Sequence, residues 1–429
     1  MKTATSGISA PAEIKLPDPV RFNLSNGIPC TLLTASVPAQ AKLIIRFNHP
    51  SFFALHYPAA KLACLLFGDA VSARLSRYSL DEMSSAIITN HRIAPDHASL
   101  ECIFPEEKLG ELLNLIRESF HAPDISVDMA SRHKEMLLKN CLESRMLPRN
   151  RASELLMEQL FSGQPGGNAL RPDQISSVDV TNPAALLLDL LQAATPRVYL
   201  AVHNTRTAKL LLERVFGSLH TTTGDPDTRK DLPQTDELPR TNGSRIHMEM
   251  EPADTGSIRM GRRIFGMEHP LYPAARMSLA ILGGYFSSRL MSRLREHKGY
   301  AHGIGAGIRS LSTGSYLFIS AEVGAPWLND ALREIDSELN RLATETVEKE
   351  EFATVLHYLE AGIFRQTNQL FSYLDFLATL DHLHLEPGWH MEFVRNINNL
   401  NPTAINRFMQ EFMNPADLIT ITCGKAPLA

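Results

Sequence analysis

The sequence predicts an α+β fold of two homologous domains, each an antiparallel-rich mixed β-sheet with helices packed on it. Three observations predict it: a repeat displaced by half the chain, strand and helix signals recurring in the same order in each half, and a polar segment between the halves. Residues 57–75 (YPAAKLACLLFGDAVSARL) align without gaps on 272–290 (YPAARMSLAILGGYFSSRL), a displacement of 215 residues (272 − 57) in a chain of 429. Tyr57/Tyr272, Pro58/Pro273, Ala59/Ala274, Ala60/Ala275, Gly68/Gly283, Ser72/Ser287, Arg74/Arg289 and Leu75/Leu290 are identical, and Lys61/Arg276 keeps the charge.

A second pair supports the first. Residues 175–191 and 397–412 each place an apolar position, a turn and an Asn-Pro start before a helix, Asn182-Pro183 in one and Asn401-Pro402 in the other. Each runs into a Pro-led strand, TPRVYLAVHN (195–204) and NPADLITITCGK (414–425), whose apolar and β-branched content fits a buried sheet. The expected division is a domain at 1–220, a linker at 221–244 rich in Thr, Pro, Asp and Gly, and a domain at 245–429.

Each half then reads alike. The first opens with two strands joined by a turn at Asn26-Gly27 and continues with a strand at 41–47, the Tyr57 helix and a strand pair over 84–104. A helix led by Pro105-Glu106-Glu107 follows, its carboxylates suited to a first turn, and then helices over 127–143 and 151–161. The second half predicts strands over 301–323 and helices over 327–344 and 349–379.

Composition excludes several classes. With 42 Lys+Arg against 47 Asp+Glu the net charge is −5, with no basic block to track a nucleic acid. No apolar run approaches the roughly 18 residues of a membrane span. The first 19 residues lack the apolar stretch of a secretory signal, so a cytoplasmic location is expected. Cys30, Cys64, Cys102, Cys141 and Cys423 are odd in number, scattered and without a CxxC pair; they read as free, buried thiols.

Residues 282–306 (LGGYFSSRLMSRLREHKGYAHGIGA) resemble the non-catalytic half of the pitrilysin/insulysin zinc peptidases, with LGG-x-x-SSRL followed by LRE-x-x-G-x-Y. NLSNGIPCTLL (23–33) is similar to that family's opening L-x-NG strand, and FSGQPGGNALRPDQISSV (161–178) to its LF-x-G-x-PYG…I-x-S-V segment. The likeness runs from about Val20 to Gly424 and implies half of a processing-peptidase-like clam-shell, of the fold shared with the LuxS-type metallopeptidases.

In that family an inverted motif, HxxEH, on the first-half helix supplies two zinc ligands one helical turn apart and a glutamate as general base. Carried onto this sequence, the histidine positions are Ala60 and Cys64, the glutamate is Ala63, and the distant ligand falls near Asn140 or Cys141. The whole donor set is lost, and without a metal a bound water is no more acidic than bulk water. Cys64 and Cys141, if close in space, would make only an incomplete thiol site and read as core.

The resemblance also implies substrate contacts from Arg295 and from a Tyr seven residues later. Arg295 is retained, but that position is His302, with Tyr300 two residues earlier. An imidazole still offers one hydrogen bond; the bland alternative for Arg295 is an ion pair with Glu296 or with the preceding helix. Other candidates read as structural. His382, His384, Glu386 and His390 form a helix end and loop, His91 and His97 flank a strand turn, and GIGAGI (303–308) leads into a strand and so lacks the helix start of a dinucleotide site. Gly283-Gly284 reads as a packing or turn device. The expectation is a catalytically deficient subunit with no cofactor of its own. It pairs with an active HxxEH subunit that holds the zinc, and both enclose a peptide. A homodimeric scaffold or peptide-binding protein, and a peptidase with an unorthodox metal site, stand as the alternatives.

Overall fold

The computed structural model describes residues 17–36, 40–48, 50–78, 87–121, 125–161, 170–193, 196–219, 243–251 and 254–425. The segment read for a leader (1–16), residues 162–169 of the glycine-rich stretch, and the linker except 243–244 lie outside them.

The α+β expectation is met by two mixed sheets with helices packed on them. The first is built from β1 (Val20–Asn23), β2 (Pro29–Thr34), β3 (Gln40–Asn48), β4 (Ile88–Ile93), β5 (His97–Pro105) and β6 (Pro196–Val202), in the order β1-β2-β6-β3-β5-β4. The second contains β7 (Arg245–Glu249), β8 (Thr255–Ile264), β9 (Ala301–Leu311), β10 (Gly314–Gly324) and β11 (Ile419–Gly424), in the order β7-β11-β8-β10-β9. Without β1 the orders are the same. Each has one parallel pair, β2 with β6 and β7 with β11, and otherwise antiparallel neighbours. The repeat is therefore a repeat of topology. Strands 29–34 and 40–48, adjacent in sequence, are not neighbours, because β6 enters between them.

Thirteen helices are described: α1 (Pro50–Tyr78), α2 (Leu109–His121), α3 (Val127–Arg145), α4 (Pro148–Leu160), α5 (Pro172–Ser177), α6 (Pro183–Ala193), α7 (Thr205–Phe216), α8 (Tyr272–Leu279), α9 (Leu328–Thr344), α10 (Lys349–Thr367), α11 (Leu370–His382), α12 (Trp389–Asn398) and α13 (Pro402–Phe412). The expected single helix over 349–379 is two, broken at Asn368 and the extended Gln369. The Tyr57 helix starts earlier, at Pro50, and kinks at His56 (φ −125°, ψ 29°), where Pro58 has no N–H to donate backward. Its repeat partner Pro273 lies in the first turn of α8, where no such hydrogen bond is lost. The Asn-Pro starts of α6 and α13 are caps: Asn182 Oδ1 accepts from Ala185 N at 3.3 Å and Asn401 Oδ1 from Ala404 N at 3.0 Å.

Strand pleating decides how the halves join. In the first sheet Leu43, Ile45, Val198, Leu200 and Val202 face the helices of their own half. The alternate residues Leu33, Ile44, Tyr199 and Ala201 face α11, through Leu374, Phe376 and Leu377. The reciprocal holds in the second sheet: Tyr316, Ile419, Ile421 and Cys423 face Ala152, Leu156 and Leu160 of α4. Each half thus lends one helix to the other's sheet, so the central strands β3, β6 and β11 are largely buried on both faces, while β1, β4 and β7 stay partly exposed.

The shared glycine of the repeat has a packing reason. A Cβ on Gly68 would lie 3.0 Å from His91 of β4, and one on Gly283 would lie 2.9 Å from the Ala306 Cβ of β9. In both halves the glycine lets the repeat helix close onto the edge hairpin. Around Gly283 that helix continues as a π-helical turn, Ala280–Gly284, and after a break as a second one, Met291–His297.

Candidate functional site: a lost zinc helix, an exposed edge and a buried carboxylate hub

Ala60, Ala63 and Cys64 point from α1 into the first core, 1%, 1% and 6% exposed. Burial pushes the Cys64 thiol up to about 12, so it is protonated at neutral pH. Cys141 is in a separate cluster with Leu137 and Ile175, and its Sγ donates to the Leu170 carbonyl at 3.2 Å. Asn140 is exposed beside it. Asn140, Cys141 and Lys61 line one cavity of about 480 Å³, with Arg145 and Glu154 among the other walls. Among the described residues no group of three ligating side chains forms there. The site does not fit zinc: Ala60 and Cys64 stand at the histidine positions and Ala63 at the base, leaving one buried thiol as the only donor on the helix.

Arg295, Tyr300 and His302 follow one another along the second π-helical turn and into β9. That turn is closed by Tyr300 N donating to the Leu294 carbonyl at 2.8 Å. Arg295 is exposed, and its guanidinium reaches only the sulfur of Met291, at 4.0 Å. Among the described residues the alternative ion pair of Arg295 with Glu296 is not formed. Tyr300 turns inward and stacks on Trp327 with ring centroids 4.7 Å apart and planes at 13°. His302 is exposed on β9, the edge strand of the second sheet, whose far side has no strand partner among the described residues. Gly303 and Gly305, half-buried, alternate along that edge, and Gly307 is buried.

One cluster was read from sequence only as loop histidines. Asp96, in the β4–β5 turn, is 2% exposed and is surrounded by donors from both halves. His97 Nδ1 donates to its Oδ1 at 2.8 Å; His382 Nε2 (2.9 Å), Ser312 N (2.8 Å) and Ser312 Oγ (3.0 Å) donate to its Oδ2. Arg46 Nη2 donates to the free nitrogen of His97 at 3.0 Å. These histidine hydrogen bonds hold the Asp96 carboxyl well below the usual range against its burial. Burial lowers the His97 pKa to about 4, so its ring is neutral. His382 therefore ends α11 in the core and not in a loop, while His384 (φ 57°) and Glu386 are in the exposed turn after it. His390 is buried near Tyr373 and Phe376.

Asp96, His97 and His382 offer ligand atoms within 4.8 Å of one another. The hydrogen-bond pattern nonetheless opposes a metal: both histidine nitrogens facing Asp96 carry the protons they donate, and the outer nitrogen of His97 is taken by a guanidinium. The cluster is a hub joining the halves. Only a strand-turn Asp-His step hinted at it in the sequence; its partner is 286 residues away.

The family model described as peptidase M16 inactive domain matches residues 202–359. Those residues belong to the M16, or pitrilysin, peptidase family as its inactive domain. The M16 fold extends over nearly the whole chain. A peptidase M16 inactive domain from Pseudomonas fluorescens is 18% identical with a TM-score of 0.80, covering 96% of this chain and 99% of that one. A protease from Helicobacter pylori is 14% identical with a TM-score of 0.81, covering 95% and 100%. A chain of complex III2 from Candida albicans is 14% identical with a TM-score of 0.74, covering 94% and 95%. At these identities the likeness to solved structures is one of fold. No curated protein sequence matches. No described helix is long and apolar enough to cross a membrane.

Proposed function

We propose that this M16-type chain is the catalytically deficient subunit of a heterodimeric zinc peptidase located in the cytoplasm. It forms the chamber wall and binds peptide for an active partner that carries HxxEH and the zinc, and holds no cofactor itself. The carrying observation is the replacement of the entire donor set on α1: Ala60, Ala63 and Cys64 are core residues, and among the described residues no second metal-ligating group takes over beside them. A chain without ligands or base has no means of activating water. It does keep an exposed cation, an imidazole and an open strand edge in one stretch, Arg295, His302 and β9. An extended peptide is suited to that edge, since main-chain hydrogen bonds give affinity without sequence specificity.

The fold likeness to a chain of complex III2 supports a second reading, a scaffold subunit with no peptidase partner. Affinity purification of the tagged chain from its native host, read by native mass spectrometry, separates the two. A near-stoichiometric second chain carrying HxxEH is the expected result. A metal-free homodimer, or a membrane complex in place of that chain, would overturn the proposal.

A further inference from the structure

The repeat places a second cavity in the molecule, and the two are equivalent. The first is bounded by Lys61 of α1, by α3 and by α4. The second, about 610 Å³, is bounded by Arg276 of α8, by α10 and by α11. Lys61 and Arg276 are the same position of the repeat, 215 residues apart (276 − 61). The helical walls also correspond, now at a displacement of 222 (359 − 137): Leu137/Leu359, Cys141/Ile363, Asn150/Ser372 and Glu154/Phe376 each line their own cavity.

The pairs differ where charge matters. In the first cavity a carboxylate is built in: Glu154, already paired with Arg145 at 3.3 Å and Arg151 at 2.7 Å. Its counterpart in the second is Phe376. There the wall carries two guanidiniums, the half-buried Arg276 and the exposed Arg365, and neither has a hydrogen bond or ion pair among the described residues. The one carboxylate of that wall, Asp375, is engaged by Lys42 of β3. Arg276 is thus a half-buried guanidinium on a cavity wall whose one carboxylate is held by a lysine, and its planar fork matches a further carboxylate. The surrounding surface is aromatic, from Tyr272, Phe376, Trp389 and Phe393. A volume in the range of small-molecule sites, mostly apolar with a few convergent polar groups, is the usual form of such a site.

We propose that the cavity between α8, α10 and α11 binds an organic carboxylate with an aromatic or large aliphatic body, such as the free C-terminus of a peptide ending in Phe or Leu, with Arg276 as the carboxylate ligand. The proposal concerns this chain alone and stands whether or not it pairs with a peptidase.

The chain's two tryptophans provide the readout, since Trp389 lines the cavity and Trp327 is stacked on Tyr300. The full chain labelled with 5-fluorotryptophan gives two fluorine resonances, assigned with Trp327→Phe. The probe is the tripeptide Ala-Leu-Phe, as free acid and as C-terminal amide. We expect the free acid to shift the Trp389 resonance saturably and the amide to bind about tenfold more weakly or worse. Arg276→Gln weakens the acid by a similar factor, Arg276→Lys by less, and Lys61→Gln not at all. Equal affinity for acid and amide in the unmodified chain would overturn the proposal. So would wild-type binding by Arg276→Gln, or a Trp389 resonance that stays fixed at millimolar peptide. A shift of Trp327 alone would place the peptide at the Tyr300 end of β9, and also refutes the cavity.

Discussion

Asp96 of the first half and His382 of the second meet in the core, His382 Nε2 donating to the Asp96 carboxylate at 2.9 Å. This bond closes a network in which one carboxylate accepts from two histidines and Ser312, so the two halves share a single buried charge. Removing it by Asp96→Ala takes the acceptor from four donors, His97 Nδ1, His382 Nε2, Ser312 N and Ser312 Oγ. We expect a loss of about 3–5 kcal/mol, measured as the fall in the urea midpoint at constant slope. A loss of less than about 1 kcal/mol would show that the hub contributes little to joining the halves.

The same network makes stability fall on acidification. His97 titrates at about 4 in the folded chain and at about 6.5 when unfolded, so between these values the unfolded chain takes up a proton that the folded one does not. The contribution is fully present above pH 6.5 and is lost as pH falls towards 4, by about 3 kcal/mol at most. The lowered Asp96 pKa acts in the same direction below the ordinary carboxylate range. Denaturation midpoints between pH 7.5 and 4.5 should fall steadily, and His97→Gln should flatten that slope.

The exchanged helices should behave as core. Leu374, on α11, is fully buried against Leu33, Ile44 and Tyr199 of the other half's sheet. Leu374→Ala is expected to cost about 2–5 kcal/mol, as for a buried leucine within one domain. If the two halves unfold in separate steps, with the mutation affecting neither by more than about 1 kcal/mol, the exchange is superficial.

This exchange also marks where the sequence stopped being legible. The strand character of residues 195–204 and the 215-residue displacement were readable because they are local composition and self-similarity. That Leu33 and Ile44 face a helix from residues 370–382 was not, since a strand buried on both faces reads the same whatever covers it. The loss of the zinc site was legible residue by residue at Ala60, Ala63 and Cys64. The Asp96 hub was not, because it depends on a contact across 286 residues, and an isolated Asp-His step carries no signal of burial. The break between α10 and α11 was hidden because it carries neither Gly nor Pro: Gln369 is a good helix former and Asn368 only a modestly poor one.

Arg295 offers a prediction specific to substrate binding. It is exposed and makes no ion pair among the described residues, so Arg295→Ala should change the stability of the chain by less than about 0.5 kcal/mol. In the proposed two-chain peptidase the same variant should lower kcat/KM by an amount consistent with one charged hydrogen bond, about 1.5–3 kcal/mol. An unchanged kcat/KM in the reconstituted pair removes Arg295 from the site.

The central claim is that this chain lacks the means to hydrolyse a peptide and serves a partner that has it. Its most direct test is cleavage of an unstructured peptide by each purified chain alone and by the two recombined, with bound zinc quantified in every sample. The account predicts no zinc and no cleavage from this chain, and chelator-sensitive turnover that reaches its full rate only when both are present. Stoichiometric zinc and chelator-sensitive cleavage by this chain alone would contradict it.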